Sequence, residues 1–352
     1  LLHPRAGRHD PPPAGVIPVG RSVIVPANSS LPNIVLSPSS VFRIRQVLRD
    51  EQFDVVHLHE PMTPAICVAS LVYARCPVVT THHAAGDLGW LHLGRLMWGF
   101  LMDRVDYRVA VSEEAKASVE RWFPGQYDVI PDGVQIPATA DPGGRGDTIV
   151  FIGRHDPRKG LEVLLRAWPE IRRRTGCRLR VIGADPLAVG LLLHRIGLHD
   201  PSVEVLGFVE EEELTREVAS ARLLVAPSLG QESFGMVLTR AFACATPVVA
   251  SDIPGYRAVM TPETGVLVPP GEAGALAEAS AEEWRARRGR EPRARWRAQR
   301  LRVEKDEMAA IVGRDGDHGV GTLDAAGCHL ASPPHEITQE ARQGGGVSIR
   351  RR

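Results

Sequence analysis

The sequence predicts an α/β protein built of two doubly wound parallel-sheet domains, and three observations carry that prediction. First, short continuous apolar runs recur along the chain: "FDVVHLH", "PVVTTHH" and "YRVAVS" in one half, then "TIVFIG", "RLRVIG", "VEVLGFV", "RLLVAPS", "PVVAS" and "GVLVP" in the other. Runs of this kind are strands buried on both faces, which is the habit of parallel sheets. Second, helical segments separate them, as the crossovers between parallel strands require. Third, the Gly/Asp/Pro-rich stretch "ATADPGGRGD" (138–147) interrupts the alternation once and reads as a linker. The expected domains are residues 1–139 and 146–280, followed by an Arg-rich helical segment and disordered tail over 281–352.

Taken in order, residues 1–33 are rich in Pro and Gly and give at most one short strand, "SVIVP". "SPSSVFRIRQVLRDEQ" reads as a helix capped by Ser39 or Ser40. "LHLGRLMWGFLMDRV" (91–105) is a helix so apolar all round that burial is expected, with lipid contact as the alternative. Ser112 caps "EEAKASVERWF", whose acids stand in the first turn where the helix dipole favours them. In the second half, helices follow each strand up to about residue 275, where the periodicity decays. The remainder, beyond "EEWRARRGREPRARWRAQRLRVEKDE", has neither an apolar stripe nor a repeat and reads as a solvated tail.

Composition narrows the functions open to this chain. Of 352 residues, 42 are Lys or Arg and 42 are Asp or Glu, so no net field favours nucleic acid and any anion site must be local. The five cysteines are scattered without CxxC spacing, which speaks for neither a zinc site nor a disulfide framework. Their pattern fits a reduced cytoplasmic setting, and with no signal-peptide pattern or apolar run of ~18 residues read, a soluble or membrane-surface protein is expected.

Two stretches concentrate chemistry. "GRHDPRKG" (153–160) packs Arg154, Arg158 and Lys159 between two glycines where a buried strand turns into a helix. Ligands in doubly wound sheets bind outside the carboxyl ends of strands, so a phosphate-bearing ligand explains the cations better than solvated charge does. In "GQESFGMVL" (230–238), Gly230 and Gly235 bracket a turn entering a helix, whose first free amides and dipole attract anions.

Together with "HLHEP", "IPDGV" and "VVASDIPG", these stretches resemble the signature segments of GT-B, family 4 (group 1) retaining glycosyltransferases, in the order and spacing of the actinobacterial phosphatidylinositol mannosyltransferases. The resemblance runs from about Phe53 to Pro269. It implies two facing Rossmann-like domains and gives Arg154 and Lys159 the donor diphosphate, with Arg158 left to solvation or loop fixing. The pyrophosphate falls to the amides around Gly235, Met236 and Val237, flanked by Ser233 and Phe234. Glu232 takes the hydroxyls of the transferred sugar, and His83 of "VVTTHH" faces that sugar from the N-terminal domain. Gly153, Gly183, Gly207, Phe208 and Val209 border the nucleotide. No metal or other cofactor is implied, so "HLHEP" (His57, His59, Glu60) is expected to hydrogen-bond neighbouring loops.

The chain also departs from that family. Arg240 stands where a second glutamate usually grips the nucleotide ribose; a guanidinium donates but never accepts, so at this donor-binding position it is expected to weaken donor binding, with contact to a phosphate as the alternative. Ala245 stands where glycine is usual, so that helix end is expected to close differently. Nothing before residue 34 is recognised as the family's opening strand, Gly-rich loop and helix, nor is its C-terminal aromatic helix recognised after about residue 282. The N-terminal domain is therefore expected to be incomplete, as in a truncated or frame-shifted gene.

The resulting expectation is a retaining, metal-independent hexosyltransferase moving mannose from GDP-mannose to a lipid or polyol acceptor such as a phosphatidylinositol. Its partners would be the nucleotide-sugar, the acceptor and a membrane surface at the inner face of the plasma membrane, with no nucleic acid. The alternative is a catalytically impaired, nucleotide-sugar-binding remnant. A nucleotide-sugar epimerase of the same architecture fits less well, because it lacks the paired "GRHDPRKG" and "GQESFGMVL".

Overall fold

The computed structural model describes residues 2–5, 17–24, 33–35, 37–85, 95–134, 137, 145–286 and 347–350. The chain divides into two compact units, one of residues 1–131 with 304–352 and one of residues 132–303. The division falls at Pro131/Asp132, ahead of the expected linker, most of which (138–144) lies outside the described residues.

The first unit opens with strands Leu2–Arg5 (β1), Ile17–Ile24 (β2) and Asn33–Val35 (β3) and helix Pro38–Asp50 (α1). Strand Val55–His59 (β4), helix Ile66–Tyr73 (α2), strand Val78–His82 (β5) and helix Arg95–Met102 (α3) follow. Strand Tyr107–Ala110 (β6), helix Glu113–Glu120 (α4) and the short strand Asp128–Val129 (β7) complete the run. A last strand, Val347–Arg350 (β14 in chain order), joins the same sheet, whose order is β3-β2-β1-β14-β4-β5-β6-β7. Neighbours pair in parallel except at β3 and on both sides of β14.

Three expectations change here. Residues 1–33 supply two strands, β1 and β2, where the sequence predicts at most one. Residues 347–350 are a strand in place of disordered tail, while 287–346 lie outside the described residues. Helix α1 starts earlier than Ser39: Ser37 is its N-cap, without a side-chain cap bond, and Pro38 opens the first turn. Proline fits there because its fixed φ suits the helix and its missing N–H had no intrahelical partner. Helix α4 is capped as expected, with Ser112 Oγ accepting from Ala115 N at 3.0 Å.

The second unit alternates regularly. Strand Thr148–Ile152 (β8) leads to helix Leu161–Thr175 (α5), strand Arg178–Ile182 (β9) to helix Pro186–Ile196 (α6), and strand Val203–Gly207 (β10) to helix Glu211–Ser220 (α7). Strand Leu223–Ala226 (β11), helix Met236–Ala243 (α8), strand Val248–Ser251 (β12), the short helix Pro254–Arg257 (α9), strand Gly265–Val268 (β13) and helix Ala273–Ala286 (α10) follow. All six strands are parallel, in the order β10-β9-β8-β11-β12-β13.

The apolar spacing of α5 turns Leu161, Leu164, Leu165, Trp168 and Ile171 onto one stripe, and all five are buried against the sheet. The Trp168 indole N–H is satisfied by Ser202 Oγ at 3.0 Å, as a buried donor requires. Left-handed glycines, Gly176 and Gly197, end α5 and α6, and Asp185 caps α6 by accepting from Leu187 N and Ala188 N.

Candidate active site

The cation turn lies where β8 ends. Pro157–Lys159 forms one tight 3₁₀ turn, started by Asp156, whose carboxylate accepts from Arg158 N. Gly160 closes it at φ 69°, and a Cβ there would stand 1.8 Å from the Pro227 carbonyl oxygen at the end of β11. Only glycine fits this approach.

The three cations of the turn then separate in role. Arg158 grips Asp156 through Nε and Nη2, reaches Gln231 Oε1 at 3.2 Å and receives Leu229 N on its carbonyl at 2.7 Å. Burial opposes charge on Asp156, but the hydrogen bonds and charge of Arg158 outweigh it and hold the carboxyl below its ordinary value. Arg158 therefore fixes the loop. Arg154 is exposed and makes no ion pair or side-chain hydrogen bond among the described residues. Lys159 reaches across to Glu232, Nζ to Oε1 2.5 Å, with both side chains largely screened from solvent.

Glu232 sits in a loop whose backbone is unusual: Gly230 has φ 149°, Gln231 is left-handed at 58° and Gly235 at 79°. A non-glycine residue held left-handed is the kind of local strain that collects at functional sites. Ser233 and Phe234 carry the chain into α8, Phe234 buried beneath it. Helix α8 begins at Met236, and the amides of Met236 and Val237 find no backbone acceptor among the described residues. Its positive dipole end thus opens beside Glu232 and Lys159.

The expected glycines gather on neighbouring strand ends. Gly153 N donates to Ile182 O at 2.9 Å, and Gly183 N donates to Gly207 O at 2.6 Å, so the ends of β8, β9 and β10 are tied through residues without side chains. Gly183 and Gly207 are left-handed, at φ 85° and 69°. Beyond Gly207, Phe208 is 69% exposed and Val209 partly so.

Arg240 differs from its expected neighbourhood. It makes a two-pronged ion pair with Glu211 at the start of α7, and its side chain is only 16% exposed. The substituted cation is thereby neutralised by a carboxylate from another helix. Ala245 corrects its expectation. It adopts the left-handed φ of 54° itself, with Thr246 N donating to Ala241 O at 2.8 Å, so the helix closes as a glycine would close it. Arg145 reinforces that end by donating to the carbonyls of Cys244 and Ala245.

In the first unit, parallel pairing of β4 with β5 sets His57 and His59 beside Val79 and Thr81. His59 Nδ1 and His83 Nε2 are 2.8 Å apart, and His57 Nε2 is 2.7 Å from Thr81 Oγ1. The Glu60 carboxylate accepts from the amides of His83 and Ala84 at 2.5 and 2.7 Å, pinning the backbone that carries His83. His82 turns away to meet the Tyr127 ring edge-on, as strand alternation requires. Burial, with the charge of His83, lowers His57 to about 4, and burial with His83 and Arg108 lowers His82 to about 3, so both are neutral in the fold. Among the described residues no three His, Cys, Asp or Glu side chains stand in position to hold a metal.

Two parallel-sheet α/β units, with cations and an open helix N-terminus on the strand ends of the second, define the GT-B class of glycosyltransferases. The solved structure of Anabaena HepE in complex with UDP-glucose superposes with a TM-score of 0.56, covering 75% of this chain and 81% of that one at 19% identity, a likeness of fold. Family profiles identify the lineage: "Glycosyl transferases group 1" matches residues 146–283 and "Glycosyltransferase Family 4" matches residues 2–136. Phosphatidyl-myo-inositol mannosyltransferases of Mycobacterium leprae and Mycolicibacterium smegmatis are 35% and 32% identical to it, covering 76% and 78% of this chain and 74% and 73% of theirs. The chain belongs to the glycosyltransferase group 1, family 4 family and is an enzyme of sugar transfer. The match from residue 2 overturns the expectation that nothing before residue 34 resembles the family.

The sequence alone does not single out Ser228, Tyr256 or Glu211, all of which touch the residues it does point to. Glu211 is hidden in the run "EEEELTREVASA", where four consecutive acids give no reason to prefer one.

Proposed function

We propose that the enzyme transfers mannose from GDP-mannose, with retention at the anomeric carbon, to a lipid or polyol acceptor such as phosphatidylinositol. The observation that carries the reading is the Lys159–Glu232 contact beside the open N-terminus of α8, which joins a phosphate-binding cation to a hydroxyl-binding carboxylate. The names of the mycobacterial relatives support the mannosyl donor and the inositol lipid.

As the C1–O bond to the diphosphate breaks, charge grows on the phosphate oxygens. Arg154, Lys159 and the first amides of α8 meet it with fixed positive charge, and preorganised charge of this kind usually lowers the barrier more than any other single effect. That arrangement answers the need a metal would otherwise serve, so none is required. The acceptor hydroxyl attacks C1 from the leaving-group face, its oxygen forms the new glycosidic bond, and its proton passes to the departing phosphate. Glu232 holds sugar hydroxyls in place. The donor phosphate replaces Glu232 as partner of Lys159, releasing the carboxylate for the sugar.

The membrane partner has support on α3, where Trp98, Leu101 and Met102 are buried but Leu96 is 91% and Phe100 67% exposed. This apolar face suits an interfacial helix at the inner surface of a membrane. It also corrects the expectation of burial all round. Among the described residues no helix is long and apolar enough to cross a membrane.

The test is a transfer assay with GDP-mannose or UDP-glucose as donor and phosphatidylinositol vesicles or free inositol as acceptor. Formation of an α-mannosyl lipid from GDP-mannose supports the reading. Preference for the uridine donor overturns the base and sugar, and nucleotide binding without transfer leaves the remnant.

A further inference from the structure

Three observations converge on Tyr256, in the short helix α9. Its hydroxyl lies 2.8 Å from Ser228 Oγ, and Ser228 Oγ in turn donates to Glu232 Oε1 at 3.3 Å. A serine has one hydroxyl proton, and an ionised carboxylate only accepts, so the chain has a fixed direction: Tyr256 donates to Ser228 and Ser228 to Glu232. Both hydroxyl-bearing residues are only 2% exposed, which removes water as a competing partner.

The second observation concerns the ring. A Cβ built on Gly235 would meet Tyr256 Cδ1 at 2.9 Å, so the ring lies flush against the turn that opens α8. The third concerns the residue before it. A Cβ on Gly255 would stand 1.9 Å from the Glu232 carbonyl oxygen, so the start of α9 supports the Glu232 backbone at contact distance. Burial, and the nearby charge of Glu232, push the Tyr256 phenol upward, so it remains a donor across the working range of pH.

Both hydrogen bonds on the Glu232 carboxylate, from Lys159 and from Ser228, fall on Oε1. Donor phosphate competes for the first of these. Once Lys159 turns to phosphate, the serine is the hydrogen-bond donor that remains on the carboxylate among the described residues, and it leaves Oε2 without one.

We propose that Tyr256 and Ser228 are positioning residues of the sugar-transfer reaction, a two-hydroxyl relay that holds the Glu232 carboxylate in its sugar-binding orientation after Lys159 has been taken by the donor diphosphate. The proposal rests on the assignment of Glu232 to the transferred sugar. It places the relay's effect on turnover rather than on nucleotide affinity, because the diphosphate is held by other groups.

The experiment compares Tyr256→Phe, Ser228→Ala, their double variant and Ser228→Thr in transfer kinetics and in titration with GDP. Tyr256→Phe keeps the ring on Gly235 and deletes only the hydroxyl. Expected are a fall in kcat of about tenfold in each single variant with KM and GDP affinity within about twofold, and a double variant no worse than either single. Ser228→Thr recovers most of what Ser228→Ala loses. An unchanged kcat in Tyr256→Phe, strictly multiplying effects in the double variant, or a loss of GDP affinity equal to the loss of kcat would each overturn the relay. A wild-type chain that binds GDP but does not transfer overturns the underlying assignment instead, and the relay with it.

Discussion

The two units place polar groups at the carboxyl ends of parallel strands in opposite ways. In the second unit the groups are ionic, exposed or paired across loops: Arg154 open, Arg158 locked on Asp156, Lys159 on Glu232. In the first they are imidazoles: His59 bonded to His83, His57 bonded to Thr81, and His57 and His82 held well below their ordinary pKa by burial. The difference teaches what each end is suited to. Charge held at strand ends on a glycine-shaped frame suits an anionic ligand. An imidazole held below its ordinary pKa carries no charge near neutral pH and pairs with a hydroxyl, as His57 does with Thr81 Oγ1.

The sharpest way to break the comparison is through glycine. Gly160 and Gly176 stand at opposite ends of α5, both left-handed, yet a Cβ meets the Pro227 carbonyl at 1.8 Å in one case and open space in the other. Gly160→Ala should cost at least ~3 kcal/mol and disperse the cation turn. Gly176→Ala should cost only ~1 kcal/mol from its backbone conformation. Urea denaturation of the two variants measures both, and equal losses would deny the close packing of the turn on β11.

Acid should separate the units next. His57 is held near 4 and His82 near 3, against 6.5 when unfolded, so the unfolded chain binds more protons in that interval. The stability they contribute is fully present above about pH 6.5 and is lost as pH falls toward 4, on the order of 3 kcal/mol for His57 alone. The histidines of the second unit, His155, His194 and His199, are exposed. Hydrogen exchange should therefore show β4 and β5 losing protection between pH 6.5 and 4 while β8 and β11 hold theirs. Parallel loss in both would contradict the buried, neutral state of the imidazoles.

The smallest effect tests a local strain. Ala245→Gly relieves a left-handed alanine and should raise stability by about 1 kcal/mol, read as a higher melting temperature of the second unit. An unchanged or lowered value would show that Arg145 already offsets the strain through the carbonyls of Cys244 and Ala245.

Much of the second unit is legible in the sequence because each of its signals is local. A buried strand, a glycine with one permitted conformation and a capped helix are all written within a few residues, and "GRHDPRKG" carries its turn and its cations together. The glycines at 153, 183 and 207 stand far apart in the chain, and the sheet brings them onto adjacent strand ends. What escapes the sequence is pairing over distance. Nothing near Arg240 announces Glu211, and nothing near Glu232 announces Tyr256, which is linked to it through Ser228 across the neighbouring strands β11 and β12. Strand β1 escapes for another reason, and β2 is read only over its end, "SVI": their Pro- and Gly-bearing segments lack the continuous apolar run that marks the others.

The central claim is that the cation turn, Glu232 and the start of α8 form one site for a nucleoside-diphosphate sugar. Calorimetric titration of the whole chain with GDP, UDP and their sugars, beside Lys159→Ala, tests it directly. The account predicts binding of the guanosine ligands that weakens on the order of a hundredfold in the variant. Binding of equal strength in both proteins, or no binding of any nucleotide by the unaltered chain, would contradict it.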